Sequence, residues 1–336
     1  MLNKMWSRVC FLMLAWALLW AVPGVGADPG PLSAQNRFPL HFLFLTPRPV
    51  SAQLPAVGAV NASAEVAYSS VYFNERSSRW EVLLDLETTV VDLSLSYGLT
   101  SRMALRLDVP LVSMNSGFMD GFLERYHDAL GVGNYGRENR PRNDFAYRVA
   151  KDGRPWIEGE GGSFRWADMT LSAQWELIPG GGYRGWSSSV LARIKLPTGS
   201  VRRGYGSGSV DAGLFWPSQW SGEEWTVYVM PGWMWRGDPD GGEVFVAARN
   251  GYSVFLGTAY AYSDKWRWLV QLDYFSSPLE QTGISRLDDG ALELVLGFQR
   301  KLHERWYLEF AIGEDPFTLA APDFNVQLGL VWNWDK

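Results

Sequence analysis

Apolar side chains occupy every second residue through most of this chain, and the pattern is strictest at its carboxyl end. There the apolar positions are Phe324, Val326, Leu328, Leu330, Trp332 and Trp334. Strict alternation is typical of a strand with one apolar face. The same pattern predicts three strands between 58 and 112, followed by strands at 164–178, 186–198, 208–216, 224–236, 251–263, 266–276, 290–300, 304–313 and 323–334, which makes twelve.

Nearly every predicted strand has an apolar face, and the chain has no set of helices that could cover these faces. The mean hydropathy is nevertheless only −0.12, and no long apolar run follows the first 27 residues. In a transmembrane β-barrel, lipid-facing and lumen-facing residues alternate and cancel in such an average. The sequence therefore predicts an all-β fold, a transmembrane antiparallel β-barrel of about 12 strands. The alternative is a soluble lipocalin-like or sandwich protein with the aromatic residues in its core.

The predicted connections alternate between short and long. Short ones fall at 99–102, 179–185, 217–223, 264–265 and 301–303, and all but the first of the connections between them are longer. Outer-membrane barrels have short periplasmic turns and longer external loops. With alternating strand directions, Trp225, Trp266, Trp306 and Trp334 all fall at the periplasmic rim. An indole suits such a boundary because its ring is apolar and its N–H needs a partner, so we expect an aromatic girdle there.

Residues 1–27 have the features of a secretory signal peptide: basic Lys4 and Arg8, an apolar core, and the small residues Val25, Gly26 and Ala27 at a cleavage site. The only cysteine, Cys10, lies inside it, so disulfides and thiolate chemistry are not expected in the mature chain. Loss of Lys4 and Arg8 changes the formal net charge from −6 to −8. An acidic chain without clustered basic residues is a poor nucleic-acid binder.

The mature chain is expected to have two parts. Residues 28–57 form a proline-rich N-terminal segment on the periplasmic side, and residues 58–334 form the outer-membrane barrel. The segment is either ordered, with the possibility that it enters the barrel, or a flexible leader. Within the second strand the apolar positions move from even numbers at 80–86 to odd numbers at 91–97, which predicts a β-bulge near 87–90.

If the apolar face of each strand meets lipid, the opposite face lines the lumen. The charged positions of that face are Asp92, Arg106, Asp108, Asp168, Glu176, Arg193, Lys195, Asp211, Arg267, Asp273, Glu293 and Glu309, and Gln174, Gln271, Gln299 and Gln327 join them. On the lipid face, Arg or Lys at mid-depth would cost about 2–4 kcal/mol. These side chains either fill the lumen as a structural network, with Glu176 near Arg193 and Lys195, or line a polar path for a solute.

A loop at 113–163, expected on the external side, carries its own structure. Residues 116–131 predict an amphipathic helix that Ser116 and Gly131 can cap. Its notable side chains, with those of the basic stretch that follows, are Phe118, Phe122, Tyr126, His127, Arg137, Arg140 and Arg142. A long structured loop is usually functional. It could constrict the barrel mouth, bind lipopolysaccharide phosphates through Arg137, Arg140 and Arg142, or cover apolar surface as a lid.

Catalysis is not expected. The three histidines are His41 in the N-terminal segment, His127 in the long loop and His303 in a predicted turn, and none has a nucleophile or carboxylate at a catalytic spacing. No spacing of ligand residues predicts a metal site, and no glycine-rich loop leads into a helix as phosphate binding requires. No cofactor is expected.

Three stretches resemble a bacterial outer-membrane barrel family defined as domain of unknown function 3187. They are residues 117–132 running on to 136–143, residues 97–102, and Gly30, Pro31 and Leu32 with Asn36, Pro39 and Leu40. The resemblance spans essentially the whole mature chain. It implies a barrel in the envelope of a Gram-negative bacterium, and it implies no particular activity.

The alternating carboxyl terminus also resembles the signal that the barrel-assembly machinery recognises, through Gln327, Gly329, Trp332 and Trp334; Asp335 and Lys336 depart from the usual aromatic end. The expected partners are therefore this machinery, outer-membrane lipid and lipopolysaccharide. The predicted function is a narrow porin or facilitated-diffusion channel for small polar or amphipathic solutes. The alternative is a non-conducting structural or interaction barrel of the cell envelope.

Overall fold

A computed structural model describes residues 29–130, 140–180, 185–241, 243–315, 321–322 and 324–334. The predicted signal peptide lies outside these residues. The described chain contains sixteen β-segments. They are β1 (Val60–Arg76), β2 (Trp80–Thr100), β3 (Met103–Asn115), β4 (Ala146–Lys151), β5 (Arg154–Glu158), β6 (Arg165–Trp166), β7 (Thr170–Ile178), β8 (Trp186–Lys195), β9 (Asp211–Phe215), β10 (Ser218–Ser221), β11 (Trp225–Trp235), β12 (Gly251–Ser263), β13 (Trp266–Phe275), β14 (Ala291–His303), β15 (Trp306–Glu314) and β16 (Phe324–Trp334).

Twelve barrel strands are built from these segments, because β6 runs into β7, β9 and β10 together form one strand, and β4 and β5 lie outside the ring. Each barrel strand pairs antiparallel with its neighbours in the chain. The ring closes where β1 pairs with β16, from Val60 opposite Trp334 to Ser70 opposite Phe324. The predicted all-β fold, a closed antiparallel barrel of 12 strands, is confirmed.

The sixth barrel strand is longer than the sequence predicted. It continues past Phe215 to Ser221, and Pro217 interrupts it because proline has no N–H to donate to the ladder. The register does not change across the interruption: β8 pairs Leu191 with Phe215 and Ser188 with Ser218.

Strands β1 and β2 extend well beyond the other strands. β2 has 21 residues, whereas about 9–11 tilted residues cross a bilayer. β3 pairs with β2 only as far as Glu87. Beyond that point β4 takes its place, pairing Asp85 with Ala146 and Trp80 with Lys151, and the hairpin β4–β5 widens the sheet. We call this end of the barrel the loop end, and the opposite end, with the short connections, the turn end.

The predicted bulge near 87–90 is absent, so that prediction was wrong. β1 and β2 pair without a register shift from Val60↔Tyr97 to Arg76↔Glu81. Even-numbered residues of β2 therefore face inward along its whole length. Toward the loop end the inward face lies in an apolar core that contains Val82 and Leu84. Toward the turn end the outward face is apolar, with Leu93 and Leu95 exposed. The apolar side changes because the surroundings change, while the register stays constant.

Three helices lie among the described residues: α1 (Pro39–Phe42), α2 (Asp120–Leu130) and α3 (Ser285–Asp288). Helix α2 falls where the sequence predicted an amphipathic helix, although it begins four residues after Ser116, and Gly131 lies outside the described residues. No helix in the described part of the chain is long and apolar enough to cross a membrane.

Candidate functional site: the occupied lumen

The N-terminal segment, residues 29–57, lies inside the barrel, and we call it the plug. Its first half runs from the turn end toward the loop end along the inner faces of β13, β14 and β16. Gln299 Nε2 donates to the Gly30 carbonyl at 3.1 Å. Gln271 binds Leu32 twice, accepting from its N–H at 2.7 Å and donating to its carbonyl at 3.1 Å. These amides give a chain without regular structure its backbone partners, as burial requires.

The second half of the plug returns to the turn end along the inner faces of β7 to β10. The N–H of Leu45 donates to Asp211 Oδ2 at 2.7 Å. Gln174 Nε2 donates to the Ser51 carbonyl at 2.8 Å. Gln219 Oε1 accepts from the Ser51 hydroxyl at 2.8 Å and from the Ala52 N–H at 2.9 Å. The plug therefore crosses the lumen twice, and both of its ends lie at the turn end.

The tip of the plug is buried in apolar surroundings at the loop end. Helix α1 begins at Pro39, a proline suited to a first helical position because its missing N–H would have no partner there. Phe38, Leu40, Leu43 and Phe44 join a core built from β1, β2, β4, β5 and the connections between strands. These residues are at most 3% exposed, so the tip is anchored by burial of apolar surface.

His41 lies in the middle of this tip. Its ring meets Phe38 and Phe275 edge-on, with centroids 5.3 and 5.2 Å away. Neither ring nitrogen has a hydrogen-bond partner among the described residues. Burial, together with the positive charge of Arg236, lowers the pKa of His41 to about 3. The imidazole is thus held neutral at physiological pH.

Arg48 of the plug connects two wall carboxylates. Its Nη2 lies 2.9 Å from Glu65 Oε2 on β1, and its Nη1 lies 3.2 Å from Asp108 Oδ1 on β3. Asp108 also forms ion pairs with Arg106, whose Nε lies 2.8 Å away, and with Arg193, whose Nη2 lies 3.4 Å away. One carboxylate therefore lies among three guanidinium groups, one from the plug and two from the wall.

Two further ion-pair groups lie in the lumen. Arg37 of the plug pairs with Asp92 on β2, and both side chains are almost fully buried. On the opposite wall, Lys195 Nζ lies 2.5 Å from Asp168 and 3.5 Å from Asp211. The same ammonium group donates hydrogen bonds to the Ser207 hydroxyl and the Ser209 carbonyl. Buried charges are normally paired in this way because an unpaired one is costly.

A cavity of about 410 Å³ opens at the turn end between both halves of the plug and the wall. Its lining combines charged groups of both signs with hydroxyl and amide groups. Among the lining residues are Ser33, Arg48, Glu65, Ser94, Arg106, Asp108, Ser172, Gln174, Arg193, Glu309 and Asn333. The Ser172 hydroxyl is buried without a hydrogen-bond partner among the described residues. Three arginines balance three carboxylates in this lining, so the cavity suits small polar solutes without a strong preference for either charge.

The structure places most of the predicted lumen residues in the interior. Asp92, Asp108, Asp168, Arg193, Lys195, Asp211, Asp273, Glu293 and Glu309 are buried, and Gln271, Gln299 and Gln327 lie beside them. Arg106, Glu176, Arg267 and Gln174 are partly buried. The expected pairing of Glu176 with Arg193 and Lys195 is wrong: Glu176 lies opposite Ser189, and Arg193 lies opposite Ser172.

Sequence reasoning missed the acid Glu65 and both plug arginines. Glu65 belongs to the same inward face as Ala67 and Ser69, and it could have been found by extending the alternation of β1. The roles of Arg37 and Arg48 could not be derived from alternation, because they depend on the path of a segment without regular structure.

Helix α2 and the turn before it lie outside the lumen, whereas β4 and β5 of the same loop contribute Tyr147, Val149, Trp156 and Ile157 to the apolar core around the plug tip. Phe118 and Phe122 lie outside the barrel, against the outward-facing Tyr68 and Phe324. Arg140 is engaged by Asp85 and Asp144 at 2.6 Å each, and Arg142 pairs with Glu124. The side chains of Tyr126 and His127, and all of Arg137, lie outside what the structure describes.

The carboxyl-terminal residues lie at the turn end. Trp332 stacks on Trp306 and Trp334, with ring centroids 6.1 and 6.3 Å apart. Gln327 faces the lumen and donates to Glu65 at 3.1 Å, and Gly329 lies opposite Glu65 and Glu309 in the two neighbouring strands. Within the described residues, no cluster of three or more His, Cys, Asp or Glu side chains is arranged to hold a metal ion.

Comparison with solved structures finds outer-membrane proteins among those similar to this chain. The COG4313 outer membrane channel from Pseudomonas putida F1 is similar at a TM-score of 0.58 and 17% sequence identity, over 86% of this chain and all (100%) of that one. The KdgM porin is similar at 0.43 and 8% identity, over 82% and 99% of the two chains. The P. putida toluene transporter TodX is similar at 0.38 and 13% identity, over 84% and 91%.

At 17% identity, the first of these similarities shows a shared fold. A search of curated proteins found no match to the chain. A family model described as a protein of unknown function, DUF3187, matches residues 8–334. This match covers nearly the whole sequence, as the resemblance at 117–143, 97–102 and 30–40 implied, and the chain therefore belongs to the DUF3187 family.

Proposed function

We propose that this protein is a narrow outer-membrane channel for small polar solutes. The observation that carries the proposal is the cavity of about 410 Å³ at the turn end, lined by charges of both signs and by hydroxyl groups. A purely structural interior would be expected to close such a space. A barrel of 12 strands lies between 8-stranded barrels, whose lumen side chains fill, and porins of 16 strands or more, which have wide pores.

The proposed location is the outer membrane of a Gram-negative bacterium, reached through a cleaved signal peptide at 1–27. The apolar outer face of the barrel supports this location, with Leu93, Val270 and Leu328 among its exposed side chains. The short-turn end, with Trp306, Trp332 and Trp334, would face the periplasm, and the long strands β1 and β2 would extend outside the cell. The fold shared with an outer membrane channel supports a transport role over catalysis.

A second candidate function is favoured by one observation: the plug crosses the lumen twice and pairs with both walls. A barrel filled in this way could be a non-conducting structural or interaction protein of the envelope. The two candidates differ in whether the mature chain passes ions and solutes with the plug in place.

Conductance in planar bilayers distinguishes them. The mature chain is expected to give small, steady channels, and a variant lacking residues 29–54 is expected to give a much larger conductance. A variant lacking residues 117–142 is the matched control; it should conduct like the mature chain, because Phe118 and Phe122 place the start of that stretch on the outer wall. A mature chain that stays sealed, while only the plug deletion conducts, would favour the non-conducting barrel.

A further inference from the structure

Glu87 shows on which side of the barrel the loop helix lies. It is five residues before Asp92 in a strand with unbroken register, so the two side chains point to opposite faces. Asp92 faces the lumen, where it meets Arg37; Glu87 therefore faces outward. It is nevertheless only 2% exposed, because its carboxylate accepts the backbone N–H groups of Phe118 and Met119 at 3.0 and 2.6 Å.

The turn before the helix fits closely over this carboxylate. Gly117 has φ +69°, and a Cβ there would lie 1.8 Å from the Glu87 carboxyl carbon. The Tyr68 hydroxyl donates to the same carboxylate. The start of α2 is thus fixed to the outer wall by three donors on one buried acceptor, a charge-assisted arrangement stronger than ordinary hydrogen bonds.

Two aromatic contacts extend this attachment across the closure of the barrel. The Phe118 ring lies 5.6 Å from Tyr68 on β1, and the Phe122 ring lies 6.3 Å from Phe324 on β16. β1 and β16 are the first and last strands of the ring. The helix therefore lies on the outside of the seam where the two ends of the sheet meet.

The helix and the turn before it have one buried side and one exposed apolar side. Met119 and Leu123 are 8% and 0% exposed, whereas Phe118 and Phe122 are 74% and 48% exposed. Exposed apolar residues continue from these rings along the outer wall through Val66, Leu93 and Leu328, at 45%, 42% and 52%. The wall residues form the lipid-facing surface of the barrel, and the two phenylalanines are continuous with it.

We propose that α2 and the turn before it form a lipid-binding element that places Phe118 and Phe122 in the acyl-chain region of the outer leaflet while it holds the β1–β16 seam. This inference rests on the outer-membrane placement given above. An amphipathic helix with one aromatic face commonly lies at a membrane boundary in this way. Helix α2 thus acts on the outside of the barrel.

The test uses single cysteines, since the sequence's one cysteine lies in the predicted signal peptide. Phe118→Cys is labelled with an environment-sensitive fluorophore and reconstituted in phosphatidylcholine vesicles. Quenching is measured with nitroxides on the lipid acyl chains and with aqueous iodide. Leu93→Cys marks the lipid-facing wall. Phe245→Cys is the matched control, an exposed phenylalanine (68%) whose carbonyl accepts from Lys151 next to the hairpin tip.

The label at 118 is expected to be quenched by the acyl-chain nitroxide as strongly as the label at 93 and to be protected from iodide, whereas the label at 245 should show the reverse. Quenching of the 118 label by iodide alone overturns the proposal. Protection from both quenchers also overturns it, because a protein surface such as a second copy of the chain would then cover the helix. A failed channel function would appear in conductance and would leave these three patterns unchanged.

Discussion

Nη2 of Arg48 lies 2.9 Å from Oε2 of Glu65, and both side chains are only 2% exposed. The arginine belongs to the plug and the glutamate to β1, so a segment outside the sheet neutralises a carboxylate of the barrel wall. The same guanidinium reaches Asp108, which keeps Arg106 and Arg193 if Arg48 leaves. Glu65 has no second cation within ion-pair distance among the described residues. The wall and the plug therefore depend on each other electrostatically.

Replacing Arg48 with Gln is expected to loosen the plug. Removal of one partner of a buried ion pair costs about 3–5 kcal/mol. We expect the lower part of that range, because Gln327 and Ser63 still donate to Glu65. The midpoint of urea unfolding in detergent should fall, and conductance in planar bilayers should rise.

The control for Arg48→Gln is Arg76→Gln. Arg76 pairs with Glu81 at 3.0 Å, but the two side chains are 73% and 56% exposed, and exposed pairs contribute about 0–1 kcal/mol. An Arg48 variant that unfolds and conducts like the Arg76 variant would show that the plug is held by its apolar tip and amide contacts alone.

His41 should make the plug sensitive to acid. Its pKa is about 3 in the folded protein, against 6.5 in an unfolded chain, so the unfolded state binds more protons between these two values. Stability is therefore complete above pH 6.5 and decreases as pH falls below it. With one pKa unit worth 1.36 kcal/mol, the loss at pH 5 is about 2 kcal/mol.

Substitution of His41 by Leu should abolish this loss, because the apolar site then gains no charge at low pH. The measurement is the urea midpoint at pH 7.5 and pH 5. His303→Leu in an exposed part of β14 is the control and should keep the acid sensitivity of the mature chain. An equal loss between these pH values in the His41 and His303 variants would assign the acid sensitivity to other groups.

The barrel could be predicted from alternation because lipid forces one face of every membrane-spanning strand to be apolar. The same signal misled where lipid is absent. In β2, Val82 and Leu84 lie on the inward face, in the apolar core that contains the plug tip and residues of β4 and β5. They nevertheless occupy alternate positions as regularly as the lipid-facing Leu93 and Leu95 do. Alternation reports which face is apolar, and it does not report whether that face meets lipid or protein.

The plug itself could be only partly foreseen. Its prolines indicated that it has no long regular element, and the sequence left open whether it is ordered. Its path depends on backbone hydrogen bonds to side chains far away in sequence, such as Leu32 with Gln271 and Ala52 with Gln219. No local pattern encodes such contacts, and of the two wall carboxylates that pair with plug arginines the sequence analysis placed only Asp92 in the lumen.

Gly98 is expected to be required where the plug leaves the lumen. A Cβ at this position would lie 2.1 Å from the Ala56 carbonyl oxygen and 2.7 Å from that of Pro55. The contact would be with backbone atoms, which cannot rotate away as a side chain can. Two hydrogen bonds also hold this backbone in place: the Gly58 N–H donates to the Gly98 carbonyl, and the Gly98 N–H donates to the Ala59 carbonyl. Gly98→Ala should therefore destabilise the folded protein by about 1–3 kcal/mol, the range for overpacking.

The urea midpoint measures this effect, with Gly121→Ala as control. A Cβ at Gly121 meets nothing within 4 Å, and alanine favours a helix by up to about 1 kcal/mol, so that variant should be as stable as the mature chain or more so. A Gly98 variant with an unchanged midpoint would mean that residues 55–57 can move away from the wall at little cost.

The carboxyl-terminal tryptophans are expected to act in assembly more than in stability. Trp332 stacks on Trp306 and Trp334 at the turn end, and aromatic pairs contribute about 0.5–1.5 kcal/mol each. Trp332→Ala with Trp334→Ala should therefore lower the stability of refolded protein only moderately. If these residues form a signal for the barrel-assembly machinery, the amount of folded protein in the outer membrane should fall severalfold.

Folded protein in isolated membranes is measured by its mobility in gel electrophoresis before and after heating, beside the yield of refolding into detergent. Trp235→Ala is the control, since Trp235 is 48% exposed on the outer wall at the loop end and lies outside the carboxyl-terminal strand. It loses one indole where the double variant loses two, and it should show no loss of membrane assembly. Equal losses in the membrane and in detergent would place the effect of Trp332 and Trp334 in folding itself, because detergent refolding proceeds without the machinery.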